Sequence, residues 1–233
     1  YEDDRESLDG LLDAVKRENA RLVYLANPDN PMGTWWTAGE VQSFIDALPA
    51  TTMLVLDEAY GETAPASAIP PLDPTRPNVL RMRTFSKVYG LAGLRCGYCI
   101  GEAKAIRAFD KVRNHFGMTR MAQAAALAAL ADQAHLHQVT ASVDACRRRI
   151  ANIANAHGLE ALPSATNFVT IDCGSDGAYA MRVLHALLER DVFVRKPMAP
   201  VLDRCIRVSV APADEIDVFE AEFGGALEAA RKG

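Results

Sequence analysis

Between residues 21 and 100 lie four short apolar runs, most of them closed by a polar residue or a turn. Residues 21–26 (RLVYLA) stop at Asn27-Pro28, and residues 53–56 stop at Asp57. Residues 78–83 stop at Thr84-Phe85-Ser86-Lys87, and residues 95–100 form a fourth run. Short apolar runs bounded by turn residues read as buried strands. Two stretches read as helices, one ahead of the first run and one between the first and the second. Leu8, Leu11, Leu12 and Val15 fall on one helical face, and Thr37 with Glu40 makes a capping box ahead of Val41, Phe44, Ile45 and Leu48. Strands alternating with helices describe an α/β sheet, and polar residues gathered at the strand ends put a ligand along one edge of it.

From about Met118 the texture changes. Residues 118–132 and 136–157 read as two long helices. A strand over 167–172, a helix over 178–190, strands over 192–195 and 205–210 and a helix over 214–231 follow. This pattern predicts a smaller α+β domain after a helical connector near residues 112–120. The expected division is residues 1–115 and residues 116–233. There is no internal repeat and no low-complexity linker.

Composition excludes several classes of function. A net charge of −5 over 233 residues, with no long basic run, gives no support for nucleic-acid binding. No stretch approaches the roughly 18–20 consecutive apolar residues that span a bilayer. The five cysteines, Cys96, Cys99, Cys146, Cys173 and Cys205, are odd in number and scattered, as expected of reduced thiols in a cytoplasmic protein. Cys96 and Cys99 form a C-x-x-C, but alternation along a strand puts them on opposite faces, and no second pair completes a zinc site. The five histidines form no constellation at metal-ligand spacing. The acidic start, Tyr1-Glu2-Asp3-Asp4, lacks both a hydrophobic segment and an initiator Met. It reads as a chain whose upstream segment is missing, not as a signal peptide.

The chemistry lies at the strand ends. In order they present Asn27-Pro28-Asp29-Asn30-Pro31-Met32-Gly33, Asp57-Glu58-Ala59-Tyr60, Thr84-Phe85-Ser86-Lys87 and Gly90-Leu91-Ala92-Gly93-Leu94-Arg95. An amide, a carboxylate with a phenol, a hydroxyl-flanked lysine and an arginine match a small planar cofactor bearing a ring nitrogen, a ring hydroxyl, an aldehyde and a phosphate. The order and spacing of these segments resemble class I/II aminotransferases of the pyridoxal-phosphate-dependent fold type I, and most closely their histidinol-phosphate aminotransferase branch. The resemblance runs from about residue 8 to the end. It implies a three-layer α/β/α large domain with a mostly parallel sheet, here truncated, followed by a smaller α+β C-terminal domain.

The resemblance also assigns roles. Lys87 is the residue that carries pyridoxal 5′-phosphate as a Schiff base and then serves as the acid and base of the proton shift. Asp57 pairs with the pyridine nitrogen, while Asn30 and Tyr60 donate to the ring hydroxyl. Arg95, with Thr84 and Ser86, anchors the phosphate, since a guanidinium can bind it bidentately. Arg207 clamps the substrate α-carboxylate, and Arg195 meets the acidic distal group. Each residue also has a plainer reading. Asn30 beside proline suits a turn, Tyr60 a half-buried core aromatic, and Arg195 a solvated loop arginine beside Lys196. Asn27 and Glu58 are expected to be structural, Glu58 pointing away from its neighbour Asp57.

The activity implied is transfer of an amino group between an amino donor, histidinol phosphate first, and 2-oxoglutarate, by a homodimer with no nucleic-acid or membrane partner. An aromatic or broad-range aminotransferase and a phosphothreonine decarboxylase-like enzyme share every residue named. A non-catalytic aminotransferase-like sensor domain of a transcription regulator also fits. No segment matches the family's phosphate-gripping turn or its ring-stacking aromatic, so the chain alone is expected to bind cofactor poorly and to be inactive.

Overall fold

A computed structural model describes residues 4–232 as two compact units. The first holds residues 6–29 and 35–140, and the second holds residues 4–5, 30–34 and those from 141 onward.

In the first unit, Leu8–Glu18 forms helix α1, opened by the Ser7 side chain accepting from Gly10 N at 3.1 Å and closed by left-handed Asn19. Strand β1 is Leu22–Ala26, helix α2 Ala38–Ala47, strand β2 Met53–Asp57, strand β3 Val79–Thr84 and strand β4 Gly97–Gly101. The capping box opens α2: Thr37 Oγ1 accepts from Glu40 N, and the Glu40 carboxylate accepts from Thr37 N. The four strands form one sheet in the order β1-β2-β3-β4, with β1, β2 and β3 parallel and β4 antiparallel to β3. Because β4 runs backwards, its first residues lie at the same edge as the last residues of β2 and β3.

Alternation along the strands splits the sheet into two unlike faces. Val23, Leu25, Leu54, Leu56 and Val79 point one way and pack against Val15 of α1 and Val41, Phe44 and Ile45 of α2. Tyr24, Val55 and Asp57 point the other way. A second cluster, Phe85, Cys96, Ala122 and Ala126 with Tyr89 and Tyr98, pins the loop after β3.

Helix α3, Ala103–Phe109, begins where Glu102 accepts from Ala105 N. Helix α4 is Arg120–Ala131 and helix α5 Gln133–Ala156. The helical connector expected near 112–120 is replaced by turns over residues 110–117, with the helix placed earlier, at α3. Asn114 and Gly117 account for the difference: Asn114 Oδ1 takes Phe116 N, competing with helical hydrogen bonds.

The second unit has an antiparallel sheet of β5 (Glu160–Ala161), β6 (Phe168–Asp172) and β7 (Cys205–Ser209), in that order. Helices α6 (Gly177–Leu188) and α7 (Ala213–Lys232) share a core with it, built on Ile171, Val183, Leu187, Ile206, Phe219 and Phe223. The strand expected over 192–195 is absent. Only Arg195 pairs, as an isolated bridge to Arg207. Among the described residues no helix is long and apolar enough to cross a membrane.

Candidate active site

In the first unit, Asp57 ends β2 on the face that α1 and α2 leave open. Its Oδ1 accepts from Ala59 N at 2.9 Å and its Oδ2 from the Tyr24 hydroxyl at 2.7 Å. Three residues on, Tyr60 is buried, and the Lys87 ammonium stands 4.8 Å from the centroid of its ring. That distance is within cation–π range. The structure thus brings the lysine and the phenol together at the edge where Asp57 sits.

Thr84 closes β3 and accepts from Ser86 N at 3.0 Å, which folds the chain sharply before Lys87. Gly90 N donates to Lys87 O at 2.8 Å, and Gly90 itself is left-handed at φ 69°, so a glycine suits this turn. Phe85 anchors the loop from below, with Tyr89 and Tyr98 at 5.1 and 5.6 Å between ring centroids. Lys87 is therefore carried on a turn whose two ends are fixed by hydrogen bonds and aromatic packing.

Arg95 departs from the expectation that it lies in a strand over residues 95–100. It ends the short turn Ala92–Leu94 in the left-handed region, and β4 starts only at Gly97. Its exposed guanidinium donates to Ala92 O at 2.6 Å. The close approach of β3 explains the late start, because a Cβ on Gly97 would stand 2.7 Å from Arg83 O.

Two polar neighbours of these groups face the other way. Glu58 is fully buried, and its carboxylate accepts from Arg81 Nε at 2.9 Å, Arg81 Nη2 at 2.5 Å and Arg83 Nε at 2.9 Å. Arg83 Nη1 reaches on to Glu62 at 2.9 Å. This network ties the residue after Asp57 to the residue before Thr84. Asn27, also buried, spends its amide on backbone: Nδ2 donates to Trp36 O and Ala68 O, and Oδ1 accepts from Trp36 N. Both are structural, as their sequence context predicts.

Sequence reasoning missed Tyr24 and the Arg81–Arg83 pair. The signal for Tyr24 was a lone polar tip in an apolar run. The burial of its ring and its hydrogen bond to Asp57 push its phenol above the usual tyrosine range.

The second unit holds the other three candidates. Arg195 and Arg207 exchange both backbone hydrogen bonds, Arg195 N to Arg207 O at 3.1 Å and Arg207 N to Arg195 O at 2.6 Å. They are direct cross-strand partners, and both border a cleft of about 450 Å³ that also meets Pro31, Leu184, Phe193 and Lys196. Lys196 is neutralised by Asp203. Arg207 Nη1 donates to Asn30 Oδ1 at 2.5 Å, and its guanidinium lies 4.6 Å over the Phe168 ring.

Comparison with known proteins agrees with this architecture. The model of the aminotransferase class I and II family matches residues 2–221. A histidinol-phosphate aminotransferase of Geobacillus thermodenitrificans is 40% identical over 222 residues, covering 94% of this chain and 60% of that protein. An aromatic amino acid aminotransferase of Rhodococcus jostii is 39% identical over 230 residues, covering 97% and 61%. The crystal structure of histidinol-phosphate aminotransferase from Sinorhizobium meliloti, in complex with pyridoxal-5′-phosphate, superimposes with a TM-score of 0.94 at 55% identity, over all of this chain and 63% of that one. The fold is thus that of the fold-type-I pyridoxal-phosphate-dependent transferases. Within it, the chain belongs to the class I and II aminotransferase family. It spans about 60% of the length of these curated relatives.

Proposed function

We propose that the complete protein is a pyridoxal-phosphate-dependent aminotransferase moving an amino group between an amino donor, histidinol phosphate by preference, and 2-oxoglutarate. The observation that carries this reading is the Lys87 amine held over the Tyr60 ring at the sheet edge where Asp57 is anchored by two hydrogen bonds. The donor set suits the cofactor group by group. Asp57 would meet the ring nitrogen, Tyr60 the ring hydroxyl and Lys87 the aldehyde, while Thr84, Ser86 and Arg95 would take the phosphate. Asn30 remains a proposed further donor to the ring hydroxyl.

When bound, pyridoxal phosphate supplies a ring that accepts the electron pair left at the substrate α-carbon. The chain's own groups do the rest. Lys87 would hold the cofactor through its ε-amine, and the same amine would take a proton from the α-carbon of the donor and return it in the proton shift. Asp57 as a carboxylate favours a protonated ring nitrogen. Arg207 would hold the α-carboxylate of an amino or oxo acid, and Arg195 would meet the acidic distal group. Together they would offer two cations to 2-oxoglutarate, which has a carboxylate at each end, whereas histidinol phosphate would bring them its phosphate.

We propose further that residues 1–115 are part of the cofactor-binding domain and 116–233 the small domain, and that the protein works as a cytoplasmic homodimer. The aromatic relative keeps a second donor class in play, and steady-state turnover separates the two. Turnover of histidinol phosphate well above that of phenylalanine supports the first choice, and the reverse order overturns it. If neither donor reacts, and Lys87→Ala leaves the absorbance of the protein with pyridoxal phosphate unchanged, the aminotransferase reading fails.

A further inference from the structure

We propose that Tyr24 is a positioning residue for Asp57, its hydroxyl fixing the orientation in which that carboxylate meets the ring nitrogen of bound cofactor. The inference rests on the role given to Asp57 above.

The terminal torsion of an aspartate is broad and nearly two-fold, so a carboxylate at a strand end turns unless something holds it. Asp57 is held once on each oxygen. Ala59 N binds Oδ1 from two residues along, in the local turn that aspartates commonly make. That bond alone, worth about 0.5–1.5 kcal/mol net, holds the carboxylate's torsion only weakly. Tyr24 supplies the second anchor at 2.7 Å on Oδ2, from a residue 33 positions earlier.

Strand register explains why a tyrosine can do this. Ala26 lies opposite Asp57 and Tyr24 opposite Val55, so Tyr24 is the diagonal neighbour of Asp57 on the same face. Diagonal neighbours stand about 7–8 Å apart, within reach of a long aromatic side chain and beyond that of serine or threonine. Phenylalanine has the length without the donor.

The contact is compatible with a ligand. A carboxylate offers about four lone-pair sites, two on each oxygen. Tyr24 and Ala59 use one on each, so a ring N–H can be accepted without displacing either. The phenol is also a durable donor: burial first, then its bond to the Asp57 carboxylate, hold its proton on beyond the usual tyrosine range.

The test uses the complete protein, stripped of cofactor, and two ligands. One is pyridoxal 5′-phosphate. The other is its 1-deaza analogue, in which CH replaces the ring nitrogen and gives Asp57 nothing to meet. Tyr24→Phe is expected to weaken pyridoxal phosphate about tenfold, the scale of a lost hydrogen bond to a charged group, and to leave the analogue within about twofold. Because Tyr24 as a residue is 49% exposed and phenylalanine keeps the ring, the melting temperature should hardly move. Equal weakening of both ligands overturns the inference, since it assigns Tyr24 to packing. Loss of affinity in Asp57→Asn with none in Tyr24→Phe overturns the inference alone. No loss in either variant overturns the reading of Asp57 and the inference with it.

Discussion

Glu58→Gln tests whether the network beneath the sheet holds the candidate site's loops in place. Glu58 and Glu62 balance Arg81 and Arg83, with side-chain exposures of 1%, 9%, 8% and 16%. An amide at position 58 keeps the shape, removes one carboxylate and leaves a net positive charge away from water. Breaking a buried pair this way costs about 3–5 kcal/mol, because the partner charge is stranded. Arg81 retains the Pro70 and Pro71 carbonyls at 3.0 and 3.1 Å, and Arg83 retains Glu62. The lower end of that range, about 3 kcal/mol, is therefore expected. For a chain of this size that lowers the melting temperature by about 6–12 °C.

Urea unfolding followed by tryptophan fluorescence reads the effect locally, since Trp35 and Trp36 are the chain's two tryptophans and both lie in the first unit. The midpoint should fall with the slope unchanged. Glu58→Met combined with Arg81→Met should cost less than either change alone, because removing both charges strands neither. A Glu58→Gln unfolding free energy within about 0.5 kcal/mol of the parent, the scatter of a surface substitution, refutes the reasoning.

Other sites make separate predictions. Burial, and then the Asp29 charge, push the Glu6 carboxyl from its ordinary 4.5 up to about 7. Between those values the folded chain keeps a proton the unfolded chain has released, so stability falls as pH rises through that window and levels off above it. Glu6→Gln should flatten the melting temperature between pH 5 and pH 8, and an unchanged slope contradicts the assignment. Arg207→Met should weaken binding of 2-oxoglutarate, measured by calorimetry, by at least about tenfold, since it removes one partner of a charge-assisted contact. Unchanged affinity would place the carboxylate elsewhere. Gly90→Ala forces a side chain into the left-handed region and should cost about 1–2 kcal/mol in the same urea titration. A neutral result means that the turn after Lys87 relaxes.

What the sequence made legible depended on local pattern. Strands β1, β2, β3, β6 and β7 were readable because an apolar run bounded by turn residues has one sensible conformation. The capping box was readable because its two residues serve each other. The conformation of Arg95 was not, because the late start of β4 is set by how closely β3 approaches at Gly97, a long-range fact. Pairing of Val192 to Arg195 failed for the same kind of reason: only Arg195 finds a strand partner. At the site, motif spacing pointed to Asp57, Tyr60 and Lys87. Tyr24 reaches Asp57 only through the register of β1 on β2, which no spacing along the chain encodes.

Alternation gives Asp57 and Glu58 opposite fates, although they are adjacent carboxylates. Asp57 faces the open side of the sheet, where its oxygens are held but not neutralised by an arginine. Glu58 faces the packed side and is consumed by two guanidiniums. Substitutions at the two positions should therefore separate function from stability. Asp57→Asn should abolish the preference for pyridoxal phosphate over its 1-deaza analogue and leave the melting temperature nearly unchanged, since only the Tyr24 and Ala59 contacts weaken. Glu58→Gln should lower the melting temperature and, below it, leave that preference intact. Measuring both quantities in both variants decides the matter. If each variant loses both, the two faces are not independent, and the split between a chemical face and a structural face has no physical basis.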